Sequence, residues 1–102
     1  MAIVEWQPPA DIFRSGDNWF VKIELAGVYP DDFSIAHSQN RLLIHGRRKD
    51  RIHLRNLFYH SMEITYSRFE RVIEFPFSID GNSIRWVYRD GMLLVKVEQA
   101  TE

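Results

Sequence analysis

Four histidines, His37, His45, His53 and His60, are the metal-ligating candidates in this sequence. A divalent ion is held by ligands at defined spacing, and neither a His-Glu-x-x-His pair nor a Cys/His finger is present. The pairing expected below puts His37 and His45 on opposite faces of one hairpin, so all four are read as surface or interface residues. The chain has no cysteine, which removes a thiol nucleophile, a thiolate metal site and a disulfide framework. Serines 15, 34, 38, 61, 67, 78 and 83 lack a Gly-x-Ser-x-Gly elbow, and the five glycines match no phosphate-binding spacing. Asp31 and Asp32 follow Pro30 in a turn, where carboxylates bond the local backbone. Glu24, Glu70 and Glu74 fall on outward strand positions. Trp6, Trp19 and Trp86 are candidates for a stacking platform, but the inward period of their strands makes Trp19 and Trp86 core residues. No catalytic group, cofactor site or metal site is expected, and an enzyme is not the reading these residues support.

One charge is out of place. In "FERVIEFP", Arg71 shares a face with Phe69, Ile73 and Phe75. An unpaired guanidinium on a buried face costs several kcal/mol, so Arg71 is expected to reach a carboxylate or an interface. A position at the rim, with the head in water, is the other reading.

The elements that carry these residues are strands. "WFVKIELAG" alternates Trp19, Val21, Ile23 and Leu25 against Lys22 and Glu24, and "FERVIEFP" alternates until Pro76 stops it. In "VYPDDFSIAHSQNRLLIHG" a turn at Gln39-Asn40 pairs Ser38 with Arg41, which collects Phe33, Ile35, His37, Leu42 and Ile44 on one face. Asn40 is the residue there suited to a positive φ. "RWVYRDGMLLVKVEQ" holds an Asp-Gly pair between two alternating runs, the strongest short signal for a two-residue hairpin. Its register sets Arg89, Tyr88 and Val87 opposite Met92, Leu93 and Leu94. One face then holds Ile84, Trp86, Tyr88, Leu93, Val95 and Val97, yet Val87, Met92 and Leu94 are apolar on the other. No window predicts an amphipathic helix. Short strands at close spacing predict one antiparallel all-β sandwich.

At 102 residues the chain has length for a single core, and 45% apolar with 26% charged residues is the balance of an ordinary soluble globular protein. A net charge of −1 gives no nucleic-acid or membrane-adsorbing face. Ten of the 13 basic residues are Arg, the cation better suited to fixed ion pairs and interfaces. "MAIVEWQPPADIF" has neither the basic nor the long apolar region of a signal peptide, and no apolar run reaches the ~18 residues of a membrane span, so a cytoplasmic protein is expected.

Residues 47–68, "RRKDRIHLRNLFYHSMEITYSR", form too long a connection for a compact domain. The stretch opens basic and turns apolar at Leu57, Phe58, Tyr59, Met62 and Ile64. It is either a loop folded over its own sandwich or an arm that adds a strand to another subunit's edge.

These motifs together resemble the small heat-shock proteins, which share the alpha-crystallin domain. "WQPPADIFRSGDNWFVKIELAGVYPDDFSI" is similar to the family's Pro-x-x-Asp-Ile start, its apolar strand ending in Leu-x-Gly-Val and its acidic turn. "NRLLIHGRRK", "SRFERVIEFPFSID" and "WVYRDGMLLVKV" resemble its Asn-x-Leu-x-Ile-x-Gly-x-Arg strand, its Phe-x-Arg-x-Phe-x-Leu-Pro segment and its Ala-x-x-x-Asn-Gly-Val-Leu signature. The match runs from about Trp6 to Val97, in order and at matching spacing. It implies an immunoglobulin-like sandwich of seven to nine strands and an ATP-independent holdase chaperone of the stress response. Such a chaperone binds partly unfolded clients, without a cofactor and with neither nucleic acid nor membrane as partner.

The resemblance divides the chain into a short segment 1–10, a domain 11–98 and a stub 99–102. It makes residues 47–68 the microbial and plant type of dimerisation loop, with Leu57, Phe58, Tyr59, His60, Ser61 and Met62 as its strand and Arg71 at the dimer interface or in a buried ion pair. In the family, a groove between two edge strands takes a tail motif and client segments. Carried over, Ser83, Arg85 and Val87 line one wall and Ile35 and His37 the other, with Met92 and Leu94 joining the outward patch. Two departures stand out. Trp86 replaces the signature's small Ala, so a core repacked around the indole is expected. "KVEQATE" holds no Ile-x-Ile/Val motif and about ten residues precede Asp11. A dimer is therefore expected more than a large shell if these ends are the natural protein's, and the ends say nothing about assembly if they are not. A non-chaperone interaction module, akin to the sandwich domain of co-chaperones, is the alternative function; the long loop speaks against it.

Overall fold

The computed structural model describes residues 6–100. Seven strands run in order: β1 (Ala10–Ser15), β2 (Asn18–Glu24), β3 (Phe33–Ser38), β4 (Arg41–Arg47), β5 (Arg68–Glu74), β6 (Ile84–Arg89) and β7 (Met92–Glu98). They form two antiparallel sheets, β1-β2-β7-β6 and β3-β4-β5. The expected β-sandwich is the observed one, with seven strands.

Alternation explains why the sheets face each other. Val21 and Ile23 of β2 and Leu93, Val95 and Val97 of β7 are fully buried, and so are Leu42 and Ile44 of β4. Phe69 and Ile73 of β5 close the core from the second sheet, with Phe33, Phe75 and Ile79 at its ends. No charged or polar residue is buried among the described residues.

The β6–β7 hairpin has the expected register, Arg89↔Met92 and Val87↔Leu94, and both loop residues take positive φ, Asp90 at 54° and Gly91 at 77°. The β3–β4 pairing Ser38↔Arg41 is also as expected. Its positive φ falls on Gln39, at 56°, and not on Asn40. Asn40 instead donates through Nδ2 to the Phe75 carbonyl at 3.0 Å, which ties the turn to the strand beyond. Another Asp-Gly pair, Asp80-Gly81, makes the turn that precedes the β6–β7 hairpin. Asp80 caps a short 3-10 turn, Gly81–Ser83, by accepting from the Asn82 amide. Gly81 lies against the His37 ring, where a Cβ would stand 2.7 Å from Nε2 and the exposed imidazole would have to swing aside.

Tyr88 stitches the edge strand to the body. Its hydroxyl lies 2.6 Å from the Leu25 carbonyl and 2.5 Å from that of Val28. Burial pushes its pKa up, because the phenolate would lose water. Tyr88→Phe takes the hydroxyl away from both carbonyls, of which that of Leu25 keeps the Val28 amide at 3.1 Å. It is expected to cost about 1–3 kcal/mol, read as a lower urea midpoint at unchanged slope. An unchanged midpoint would show that the carbonyls find water instead.

Candidate functional site

The connection between β4 and β5 is an arm. Every residue from 51 to 64 is exposed, and no helix or strand lies between Arg47 and Arg68. The radius of gyration is 16.1 Å, against about 13 Å for a compact chain of this length. Phe58 is 84% exposed and Met62 70%, with Ile52, Leu54, Leu57, Tyr59 and Ile64 also exposed. The arm is thus not a loop folded over its own sandwich. Residues 57–62, expected as a strand, make no strand pairing within the chain. A strand is completed by hydrogen bonds across an edge, and this segment makes none with its own sheets.

The root of the arm is held firmly. The Arg48 amide extends the β4–β5 ladder to the Ser67 carbonyl at 2.9 Å. Its guanidinium donates to the Thr65 carbonyl at 2.9 and 2.7 Å and to that of Ala26 at 3.3 Å, and lies 3.7 Å over the Trp6 ring. Lys49 Nζ is 3.1 Å from Asp32, Arg51 pairs with the same carboxylate, and the Arg51 head stacks 3.8 Å over Tyr29. Asp32, expected to bond its own backbone, therefore serves the arm.

The hydrogen bond from Lys49 is the chief cause that holds the Asp32 carboxyl below its ordinary 3.8; Arg51 adds to it and burial opposes it. A carboxyl whose folded pKa is depressed lends stability above its unfolded value, and that stability is lost as pH falls through the folded one. The Asp32 carboxyl is accordingly expected to titrate below 3.8 by NMR and to move upward in Lys49→Ala. The same midpoint in both proteins would exclude the pair.

Arg71 is half-buried on the inner face of β5 and donates through Nη1 to the Pro8 carbonyl at 2.8 Å. Among the described residues no carboxylate pairs with it. Of the expected partners, a carboxylate is not the one met within the chain: the guanidinium finds a backbone acceptor, because Pro8 is buried and its carbonyl needs a donor. Arg71→Met keeps the apolar stem and removes the donor. It is expected to cost about 1.5–3 kcal/mol in chemical denaturation, and wild-type stability would refute that.

The edge-groove residues separate onto two surfaces. The β3 and β6 edges do approach each other: Phe33 packs on Trp86 at 5.6 Å and on Tyr88 at 5.3 Å. The side chains turned into that gap are Phe33, Ile35, Trp86 and Tyr88, with His37 at its end beside Gly81. Arg85 and Val87 have the opposite parity and lie on the outer face with Phe20, Leu94 and Lys96. Met92 is on that outer face too, between Glu24 and Arg89. Ser83 belongs to the 3-10 turn and bonds the Asp80 carbonyl. Trp86 is 50% exposed, so the indole required no repacked core; β6 is an edge strand and the ring hangs at the rim.

The other candidates are dispersed. Trp6 packs on Phe69 and Trp19 on Phe75 and Phe77, so the tryptophans form no common platform. His45 bonds Ser34 on the outer face of β4, and among the described residues no cluster of three metal-ligating side chains occurs. Charge complementarity between the basic stretch 47–51 and the acidic Asp31-Asp32 turn is the sequence signal that points to the arm root.

The described residues thus form a β-sandwich with open edges and an exposed apolar arm springing from one sheet. The chain belongs to the Hsp20/alpha crystallin family, whose model matches residues 11–102. Small heat shock protein C4 of Rickettsia felis is 28% identical over 90 residues, covering 88% of this chain and 55% of the relative. Heat shock protein 42 of Saccharomyces cerevisiae is 29% identical over 96 residues, covering 90% of this chain and 26% of the relative. The chain thus spans about half the length of the first and about a quarter of the second. The solved structure of heat shock protein 16.0 from Schizosaccharomyces pombe matches with a TM-score of 0.85 at 24% identity, over 96% of this chain and 94% of that one, a likeness of fold.

Proposed function

We propose that this protein is an ATP-independent holdase, a chaperone that binds partly unfolded proteins and keeps them from aggregating. The observation that carries this reading is the arm: a family member of this size exposes Phe58, Met62 and Ile64 on a segment with no place in its own core. Contiguous apolar surface of this kind marks a site for protein partners, and broad capture needs adaptable contacts more than polar ones. Part of that surface is assigned to a second copy of the chain. In the dimer, residues 57–62 add as a strand to the partner's β1 edge, where Ile12 and Phe13 are exposed on a strand with one free side. The β3–β6 gap and the outer patch around Val87 and Leu94 are left to clients.

Light scattering from a heat-labile client, with and without this protein, tests the function. Suppression at equimolar dimer is expected; undiminished aggregation at a severalfold excess would overturn the proposal.

A further inference from the structure

We propose that Asp32 is the positioning residue of the arm: one carboxylate in the turn before β3 takes two cations from the arm's first leg and sets the direction in which the arm leaves the sandwich. The inference rests on residues 48–67 being the dimer-forming arm and deepens that reading.

The acceptor is built in and the donors come to it. The Asp32 side chain is only 11% exposed, whereas those of Lys49 and Arg51 are 50% and 41% exposed. The Asp32 amide bonds the Tyr29 carbonyl at 2.8 Å, and the next residue, Phe33, is a core side chain. The carboxylate therefore has a fixed place before the arm arrives. Its two oxygens are divided, Oδ1 to Lys49 and Oδ2 to Arg51, while Tyr29 receives the Arg51 guanidinium on its face.

The arm's second leg is tied separately, through Thr65 and Ser67 to Arg48. Beyond these ties, residues 51–64 are exposed throughout, and the contacts that hold them are internal, such as Tyr59 Oη to Asp50 at 3.2 Å. The direction of the whole exposed segment is consequently decided at its root. Without Asp32 the first leg would keep the Arg48 contacts and the Arg51 stacking on Tyr29 but lose both ion pairs, and the arm would divide its time among more directions.

Direction matters because a strand adds to an edge only when it arrives along it. A binding-competent fraction multiplies straight into apparent affinity. Reciprocal exchange in a twofold dimer uses two arms, so each loss counts twice. A threefold fall in the correctly aimed fraction of each arm weakens the dimer about ninefold. Salt should act on the same step, since both donors are partly exposed and are screened at high ionic strength.

The test is the dimer dissociation constant by sedimentation equilibrium, at 0.05 and 0.5 M NaCl. The proteins are the full chain, Asp32→Asn, Asp32→Glu, the double variant Lys49→Ala with Arg51→Ala, and a chain lacking residues 57–62. We expect Asp32→Asn and the double variant to dimerise about tenfold more weakly at low salt and to lose most of the salt dependence. Asp32→Glu should recover much of the affinity, which a general loosening of the fold would not predict. Wild-type affinity and salt dependence in the double variant, whose changes lie on exposed arm residues, would overturn the latch while leaving the arm as interface. A deletion chain that still dimerises would instead overturn the arm reading, and the latch with it.

Discussion

Deleting residues 57–62 is expected to leave a folded monomer. Among the described residues, none of the 14 buried apolar side chains of the core lies between 51 and 64, so the sandwich loses no packing. Shortening an exposed connection changes closure entropy by less than about 1 kcal/mol. Association, in contrast, loses Leu57, Phe58, Tyr59 and Met62 from both arms. Each such side chain is worth about 1.5–3 kcal/mol when buried from water, so a dimer built on them should weaken by more than ~1000-fold. Sedimentation at micromolar protein is the measurement, with thermal unfolding as the control for the fold. A deletion chain that keeps both its unfolding temperature and its dimer mass would place the interface elsewhere.

The second large effect is expected at Gly46. A Cβ there would stand 2.1 Å from the Asp32 carbonyl oxygen, 2.8 Å from Phe33 Cα and 3.0 Å from Phe33 Cβ. Two of those atoms are backbone, so no side chain can swing aside. Nor can the strand retreat, because β4 is the middle strand of its sheet and is bonded on both sides. Gly46→Ala should therefore cost about 3 kcal/mol, the upper end for overpacking, and lower the melting temperature by about 12–24 °C. It also pushes directly on Asp32, so the dimer should weaken beyond what the loss of stability explains. A melting temperature within about 2 °C of wild type would show that the β3–β4 pair can open.

Where local chemistry decides the structure, the chain is readable. Asp90-Gly91 fixes its hairpin because both residues tolerate positive φ and the flanking runs alternate, so turn and register agree. The arm announced itself by apolar residues in a stretch too long to be a connection. β1 was illegible, because an edge strand exposed on both faces has no buried period to display: Asp11 through Ser15 are all exposed. Trp86 misled for a related reason, since parity gives the face of a residue but not its distance from the sheet's rim. The Arg71 acceptor and the Asp32 latch were beyond reach because each joins residues that only the folded chain brings together, Pro8 with Arg71 and Asp32 with Lys49 and Arg51.

The order of strands in the larger sheet carries a consequence for how the protein is made. β7 is the last of the described strands in chain order, yet it lies inside its sheet, between β2 and β6. Until it emerges from the ribosome, β2 has one unpaired side, and Val21 and Ile23 lack the Val95 and Leu93 that register opposite them. The β3-β4-β5 sheet can form earlier, from neighbouring segments, but its apolar face then has only half a partner. Until β7 is made the nascent chain shows a bare strand edge and an apolar face, the two features that make partly folded polypeptides prone to aggregate.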